Sequence, residues 1–328
     1  MSKRAARLLL ALTLFFAALA PRNTSEAQAR VMPSLSSTNE TVANLGTEAS
    51  ELTPESTQDA LAADMANGRW TRGFVHHRIV HFTFDDGPRP STTRRLLEQL
   101  DHYGIKATFF VVGEQLEGRR HAEQRALLRE MARRGHTIGS HTFDHSNLTD
   151  LSDAEIEEQL TRTEAVFETT FGARPNLFRP PYGARDRRVD DLLARRGYTA
   201  MLWNLSSMDT RTRDPEVMLH SFRAQLDRQE RHPRGQGGII LVHDTHEASV
   251  DAFPLMVEEL RRRNCELLDQ EGEELWDIAS DPRIFYQARP GARGEQARSR
   301  FARDVRLDDE TVAARQATVR AAALEYCR

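Results

Sequence analysis

Cysteine is nearly absent from this sequence: Cys265 and Cys327 are the only two in 328 residues. That scarcity excludes a disulfide-dense scaffold and a zinc site built from four thiolates. An excess of one charge is also missing. Forty-five basic residues face 49 acidic ones, a formal net charge of −4, so no global field favours nucleic acid or an anionic lipid surface. A bilayer-length apolar run is missing too. The N-terminal run from Leu8 to Ala20, broken only by Thr13, spans roughly 20 Å at about 1.5 Å per residue, short of the roughly 30 Å hydrocarbon core. No short internal repeat is visible. What is present, 39% hydrophobic and 29% charged residues, suits a soluble globular protein with a core, and the length allows one large domain or two small ones.

The N-terminus has the order of an export signal. Lys3, Arg4 and Arg7 precede the apolar run, and Pro21 and polar sequence lead to Ala27-Gln28-Ala29, where small residues alternate as a signal peptidase requires. Residues 1–29 are therefore expected to be a removed secretory signal, with an uncleaved anchor or an organellar presequence as the alternatives. No cysteine stands near the cleavage region for lipid attachment. Removal takes away Lys3, Arg4, Arg7 and Arg22 against Glu26, which moves the net charge from −4 to −7. Export would place Cys265 and Cys327 where thiols oxidise. Spacing alone leaves open whether they pair or whether Cys265 is buried and Cys327 free.

Residues 30–75 are rich in Ser, Thr, Asn, Ala and Glu and read as a flexible leader. Strand and helix patterns then alternate. Strands are expected at 78–84, 107–112, 137–140, 177–179, 198–205 and 238–242. Helices are expected at 92–102, 121–134, from Ser152 to before Gly172, 186–196, 215–229 and 249–263. Ser152 with Glu155 forms a capping-box pair, and Ile156, Leu160, Val166 and Phe167 mark that helix's buried face. Such alternation implies an α/β fold with a mainly parallel sheet. Residues 286–328 hold nine Arg and six acids and read as a charged tail. A helix is expected over 310–326 with Val312, Val319 and Leu324 on one side.

Polar residues gather at the predicted C-terminal ends of the strands, the face on which parallel α/β folds build their sites. Asp85 and Asp86 follow the first strand; His141 and His145 follow the third, with a spacing that one helical turn would bring to one side. Two neutral imidazoles and one carboxylate make a three-ligand set that leaves a coordination position for water. Such a site acidifies water and polarises a carbonyl. His243 stands at the end of a later strand.

The motifs Thr83-Phe84-Asp85-Asp86-Gly87-Pro88, Ser140-His141-Thr142-Phe143-Asp144-His145, Phe178-Arg179-Pro180-Pro181-Tyr182-Gly183, Trp203 to Asp209 and Ile240-Leu241-Val242-His243 resemble those of the polysaccharide deacetylases of the NodB-homology type, carbohydrate esterase family 4. Lys106 to Gly113 matches as well, and the resemblance covers roughly residues 77–280. It implies a distorted (β/α) barrel with fewer than eight full units, in a catalytic domain over 76–285. By the same resemblance Asp86, His141 and His145 would hold a divalent cation, zinc first and cobalt as an alternative. Asp85 would be the general base and Arg179 would orient it. The backbone N–H of Tyr182 would stabilise the oxyanion, and His243, held by Asp209, would be the general acid. Leu241 and Pro181 would line the acetyl pocket. The fourth motif departs from the family: Ser206 replaces an acid and Thr210 a tryptophan, which puts substrate preference in doubt and leaves the metal, base and acid positions intact. Trp203 reads as core, and Asp244, His246 and His76-His77 as lying outside the site.

The expected activity is that of a secreted, metal-dependent N-deacetylase acting on N-acetylglucosamine units of a glycan such as peptidoglycan or a chitin-like polymer. An acetylxylan-type O-deacetylase and a catalytically disabled glycan binder are the alternatives. The expected partner is the glycan, with no nucleic acid and no membrane span after signal removal; oligomeric state is left open.

Overall fold

In the computed structural model the described residues are 70–232, 235–286, 301–302 and 305–328. The expected signal at 1–29, leader residues 30–69 and tail residues 287–300 lie outside them. The chain order is β1 (Trp70–Thr71), β2 (Ile79–Asp85), α1 (Pro90–Tyr103), β3 (Thr108–Val111), α2 (Ala122–Arg133), β4 (Thr137–Ser140), α3 (Asp153–Phe171), β5 (Leu177–Phe178) and α4 (Arg187–Arg195). It continues with β6 (Thr199–Met201), β7 (Leu205–Ser206), α5 (Pro215–Glu230), β8 (Gly238–His243), α6 (Glu247–Leu267), β9 (Asp277–Ile278), β10 (Phe301–Ala302) and α7 (Asp309–Tyr326).

The strands form one sheet in the order β10-β1-β6-β5-β4-β3-β2-β8-β7, with β9 also on β2, and the strand ladders are parallel. Strand β2 explains how the sheet divides inside from outside. Its seven residues are all buried, but they alternate in kind. Val80, Phe82 and Phe84 join the cluster shared with Leu96 and Leu97 of α1 and Phe253 of α6. Ile79 belongs to a separate cluster with Phe110, Met201 and Ile239. His81, Thr83 and Asp85 share its parity, so one face of β2 is greasy and the other turns polar towards its C-terminal end.

Helix ends follow local chemistry. Pro90 starts α1, where its fixed φ suits the first turn, and Gly104 ends it at φ 68°. Ser152 and Glu155 make both bonds of the capping box. Asp186 caps α4 through the Val189 N–H.

Three expectations are corrected. The strand expected over 198–205 is two strands: β6 pairs with β5 and β1, whereas β7 pairs with β8. Residues 202–204 cross between them, with Leu202 N–H bonded to Thr71 O and Asn204 N–H to Ile239 O. This crossing carries the chain from β6 to β7, which lies at the other side of the strand order beside β8. Residues 70–75, read as leader, enter the sheet through β1 and through Val75, which bridges Gly237 and Val305. In α7, Leu324 is exposed and Ala323 is buried in its place, while Val312 packs on the core.

The end of the tail is fastened to the domain. Arg315 Nε donates to Asp277 Oδ2 at 2.6 Å, Gln316 bonds both N–H and C=O of Leu275, and Tyr326 OH accepts from Asn264. Cys265 and Cys327 are joined in a disulfide. None of the described helices is long and apolar enough to cross a membrane.

The disulfide closes a loop between positions 62 residues apart, worth on the order of 4 kcal/mol by loop-closure entropy. A Cys265→Ser/Cys327→Ser variant is expected to unfold at clearly lower denaturant than the parent. An unchanged midpoint would show that the side-chain bonds hold α7 unaided.

Candidate active site

The polar residues at the strand ends meet on one face. Asp86 leaves β2 with a left-handed backbone, φ 77°. His141 leaves β4, and His145 follows on a loop in which Thr142 and His145 are also left-handed, at φ 66° and 64°. The helical turn expected for 141–145 is therefore absent; this loop brings the imidazoles together instead, their ring centres 4.9 Å apart. Gln159 of α3 shapes it. Its Oε1 accepts from the N–H of Phe143 and of Asp144, and its Nε2 donates to Asp144 Oδ2. Thr142 Oγ1 accepts the His145 N–H.

One atom from each of Asp86, His141 and His145 lies within 4.8 Å of the others. His141 Nε2 is 3.5 Å and His145 Nε2 is 3.3 Å from Asp86 Oδ1, an atom buried without a hydrogen-bond partner. The Arg179 carbonyl can only accept, so His141 Nδ1 donates to it at 2.7 Å. That bond leaves a lone pair on Nε2, facing Asp86. Burial also pushes the His141 pKa down to about 3. A neutral imidazole, a second imidazole and an unpartnered carboxylate oxygen fit a divalent cation.

Asp209, His243 and His246 are also close together, but their bonding is of another kind. Asp209 Oδ1 accepts from His243 Nδ1 at 2.9 Å, and Oδ2 accepts from His243 N–H and Ser249 Oγ–H. The Arg213 guanidinium donates to the Asp209 carbonyl and approaches His246 Nε2. With its lone pairs spent on protons and a guanidinium alongside, this group holds a proton on His243. Burial alone would lower the His243 pKa, but the Asp209 hydrogen bond and charge outweigh it and raise the value to about 9.

Asp85 ends the polar face of β2. Burial pushes its pKa up and the Arg179 charge opposes this. Arg179 NH1 donates to Asp85 Oδ1 at 2.7 Å and to Thr83 Oγ1, Nε donates to Met201 O, and NH2 donates to Leu202 O. The guanidinium sits 4.2 Å from the Phe110 ring centre and 5.5 Å from that of Trp203. Trp203 is thus half-buried packing, and Gly183 lies so close to it that a Cβ there would be 3.0 Å from the indole.

The remaining predicted positions take their places around these groups. Tyr182 is left-handed at φ 61° and 69% exposed, with its ring centre 4.8 Å from that of His145. Pro181 is buried beside it. Leu241 is buried on β8 two residues before His243, with the same strand parity. Ser206 Oγ accepts the Met208 N–H, and Thr210 is exposed.

Sequence reasoning missed Gln159, Ser249 and Arg213. A polar residue on the buried face of α3 was the available signal for Gln159. It also misplaced Asp244 and His246. The carboxylate of Asp244 is buried against Gly87, and the His246 ring lies 5.9 Å from that of His243. His77 pairs with Glu274, near the start of β2 and away from the site.

The His243–Asp209 pair has a testable pH signature in the metal-free protein. Because the folded pKa of His243 is raised from 6.5 to about 9, its stabilising contribution is full below pH 6.5 and is lost as pH rises through about 9. NMR titration should find His243 still protonated at pH 7.5, with Asp209→Asn moving its midpoint down. A parent midpoint at the ordinary value would contradict the pairing.

The sequence profile of the polysaccharide deacetylase family matches residues 73–201. A chitooligosaccharide deacetylase of Azorhizobium caulinodans is 32% identical over 54% of this chain and 79% of its own length. A peptidoglycan-N-acetylmuramic acid deacetylase of Bacillus subtilis is 31% identical over 59% of this chain. The match spans 38% of that protein's length, and the same share of the peptidoglycan-N-acetylglucosamine deacetylases of Listeria monocytogenes. Among solved structures, the chitin deacetylase of Colletotrichum lindemuthianum superposes with a TM-score of 0.51 at 27% identity, covering 60% of this chain and 87% of that one. The profile match and the identity across most of the Azorhizobium protein place the chain in the polysaccharide deacetylase family.

Proposed function

We propose that the protein is a metal-dependent glycan N-deacetylase, which hydrolyses the acetamide of N-acetylglucosamine units in peptidoglycan or a chitin-like polymer to acetate and a free amine. The observation that carries this reading is the placement of two unlike proton carriers around one donor set. Asp85 Oδ2 lies 3.7 Å from His141 Nε2, and His243 Nε2 lies 3.9 Å from Asp86 Oδ2.

A divalent cation, zinc or cobalt, held by Asp86, His141 and His145 would supply Lewis acidity, acidifying water and polarising the acetyl carbonyl. Asp85 accepts the proton of the attacking water, and Arg179 fixes the direction of its free oxygen. As the new C–O bond forms, the Tyr182 N–H donates to the oxygen that gains charge. As the C–N bond breaks, His243 gives its proton to the departing nitrogen, and Asp209 keeps the imidazolium charged and aimed. The requirement for an amine leaving group is met by a histidine that is an acid at neutral pH. Leu241 and Pro181 are the apolar groups proposed to receive the acetyl methyl.

The proposed location is extracytoplasmic, with residues 1–29 as the export signal. Support comes from the Cys265–Cys327 bond, since disulfides persist in oxidising compartments, and from relatives named for peptidoglycan and chitin.

Acetate release is to be measured over chitooligosaccharides, peptidoglycan and acetylxylan, with and without a chelator. Release from the N-acetyl substrates, its loss with chelator and its return with zinc are expected. Asp85→Asn and His243→Ala should each lower the rate by at least about a hundredfold, with Asp85→Asn retaining its metal. Parent-rate turnover by Asp85→Asn would sink the mechanism.

A further inference from the structure

Asp244 has no role in the chemistry above, yet it is among the most completely buried acids of the protein, 1% exposed. Its carboxylate lies directly on Gly87, the residue after Asp86. A Cβ built on Gly87 would fall 2.2 Å from Asp244 Oδ2 and 2.4 Å from Oδ1. No side chain fits there, so the carboxylate occupies the volume that glycine leaves. One of its oxygens is held: Thr93 Oγ1 accepts the Arg89 N–H at 2.9 Å and directs its own proton to Asp244 Oδ2. The other oxygen, Oδ1, is buried with no hydrogen-bond partner. A carboxyl group half-partnered in the interior is costly, and burial, with Asp86 and Asp85 nearby, pushes the Asp244 pKa up to about 7.

We propose that Asp244 is a positioning residue for the Asp86 loop: seated in the Gly87 notch and anchored by Thr93, it fixes the carboxylate donor of the cation site. The proposal rests on the reading of Asp86, His141 and His145 as a cation site. Three connections support it. Asp244 directly follows His243, so the end of β8 is joined to the loop that carries Asp86. Thr93 belongs to the first turn of α1, so the same carboxylate joins that helix to the loop. Arg89, from the segment between Gly87 and α1, returns to the Thr245 carbonyl at 2.9 Å, closing the contact from the other side. Asp86 itself, left-handed and with a buried unpartnered oxygen, depends on its surroundings to stay in place.

The test is zinc affinity, measured on the full chain by competition with a chromogenic chelator. Asp244→Ala empties the Gly87 notch and removes the Thr93 bond; its zinc Kd is expected to rise about 10–100-fold, the cost usual for groups that orient metal ligands, whereas Asp244→Asn, which keeps the shape and the Thr93 bond, should stay near the parent. Gly87→Ala, which drives a methyl into the carboxylate, should weaken zinc in the same direction as Asp244→Ala. In the zinc-free state Asp244→Ala should melt no lower than the parent, because a half-partnered buried carboxyl has been removed. A residue that merely supports the fold would give the reverse pattern, a lower melting point with the parent Kd. Should Asp244→Ala fail to fold, the same Kd on Thr93→Ala, which removes the anchor and leaves the carboxyl in place, decides. A parent-like zinc Kd in the folded Asp244→Ala variant overturns the proposal and leaves the proposed function standing; a parent that binds no zinc overturns both.

Discussion

The buried guanidinium of Arg179 is the interaction on which the rest of this site depends. It is fully enclosed, and an enclosed charge is tolerated only when its donors and its counter-charge are supplied. Here they come from four places in the chain. Asp85 supplies the counter-charge, Thr83 supplies an acceptor on the same strand face, and Met201 at the end of β6 and Leu202 of the crossing segment supply carbonyls. The backbone carbonyl of the same residue accepts from His141 Nδ1. One residue therefore aims the carboxylate of Asp85, sets the tautomer of His141 and holds the end of β6 where the chain leaves it for β7. A lysine could not do this, because it has neither the fork nor the five donors.

Around that centre the protein separates two proton carriers by environment. Asp85 is pushed up by burial and drawn back by Arg179. His243 would be pushed down by burial but is carried to about 9 by Asp209. The shared device is a buried partner of opposite charge: Arg179 opposes the rise that burial imposes on Asp85, and Asp209 holds the proton on His243. Two groups with opposite partners, each aimed by its own, suit a reaction that removes a proton at one atom and delivers one at another. Arg213, four residues on in the same loop after β7, and Ser249, 40 residues on in α6, extend the Asp209 side, so this side is assembled by the packing of α6 on that loop.

Much of this was legible in the sequence, for identifiable reasons. The strands are apolar or buried on both sides, and Gly and Pro punctuate them, so alternation could be read and the α/β class with it. The motifs after β2, β4, β5 and β8 carry polar residues that nothing in a core explains, so Asp85, Asp86, His141, His145, Arg179 and His243 could be brought together. The failures have physical causes. Hydropathy shows that 198–205 is buried but not which neighbour each half pairs with, so the split into β6 and β7 was invisible. Gln159 and Ser249 act on atoms far away in the chain, where a sequence pattern says nothing. Asp244 looked like an ordinary loop acid because its meaning lies in a notch at Gly87 that exists only after folding. Trp70, Thr71 and Val75 carry too little apolar periodicity to announce a strand, and they join the sheet only because its edge is there.

The least legible feature is also the most telling. Among the described residues, five that are not glycine have a left-handed backbone: Asp86, Thr142, His145, Tyr182 and Met208. All five sit in loops after β2, β4, β5 and β7, on the face where the site lies. Each such residue costs on the order of 1–3 kcal/mol, and the periodic pattern of a sequence contains no term for it. The same cost explains why 141–145 is not a helical turn. A helical His141–His145 pair would leave the imidazoles on the outside of a cylinder, whereas left-handed residues at Thr142 and His145 fold the loop back so that both rings face Asp86. The opposing free energy comes from elsewhere: from the aromatic core under β2, from the Gln159 amide that binds the loop's N–H groups, and from Arg179. The rigid part of the fold is regular and could be read; the site is where regularity was given up, and the hydrogen bonds that hold it there are the ones the sequence could not display.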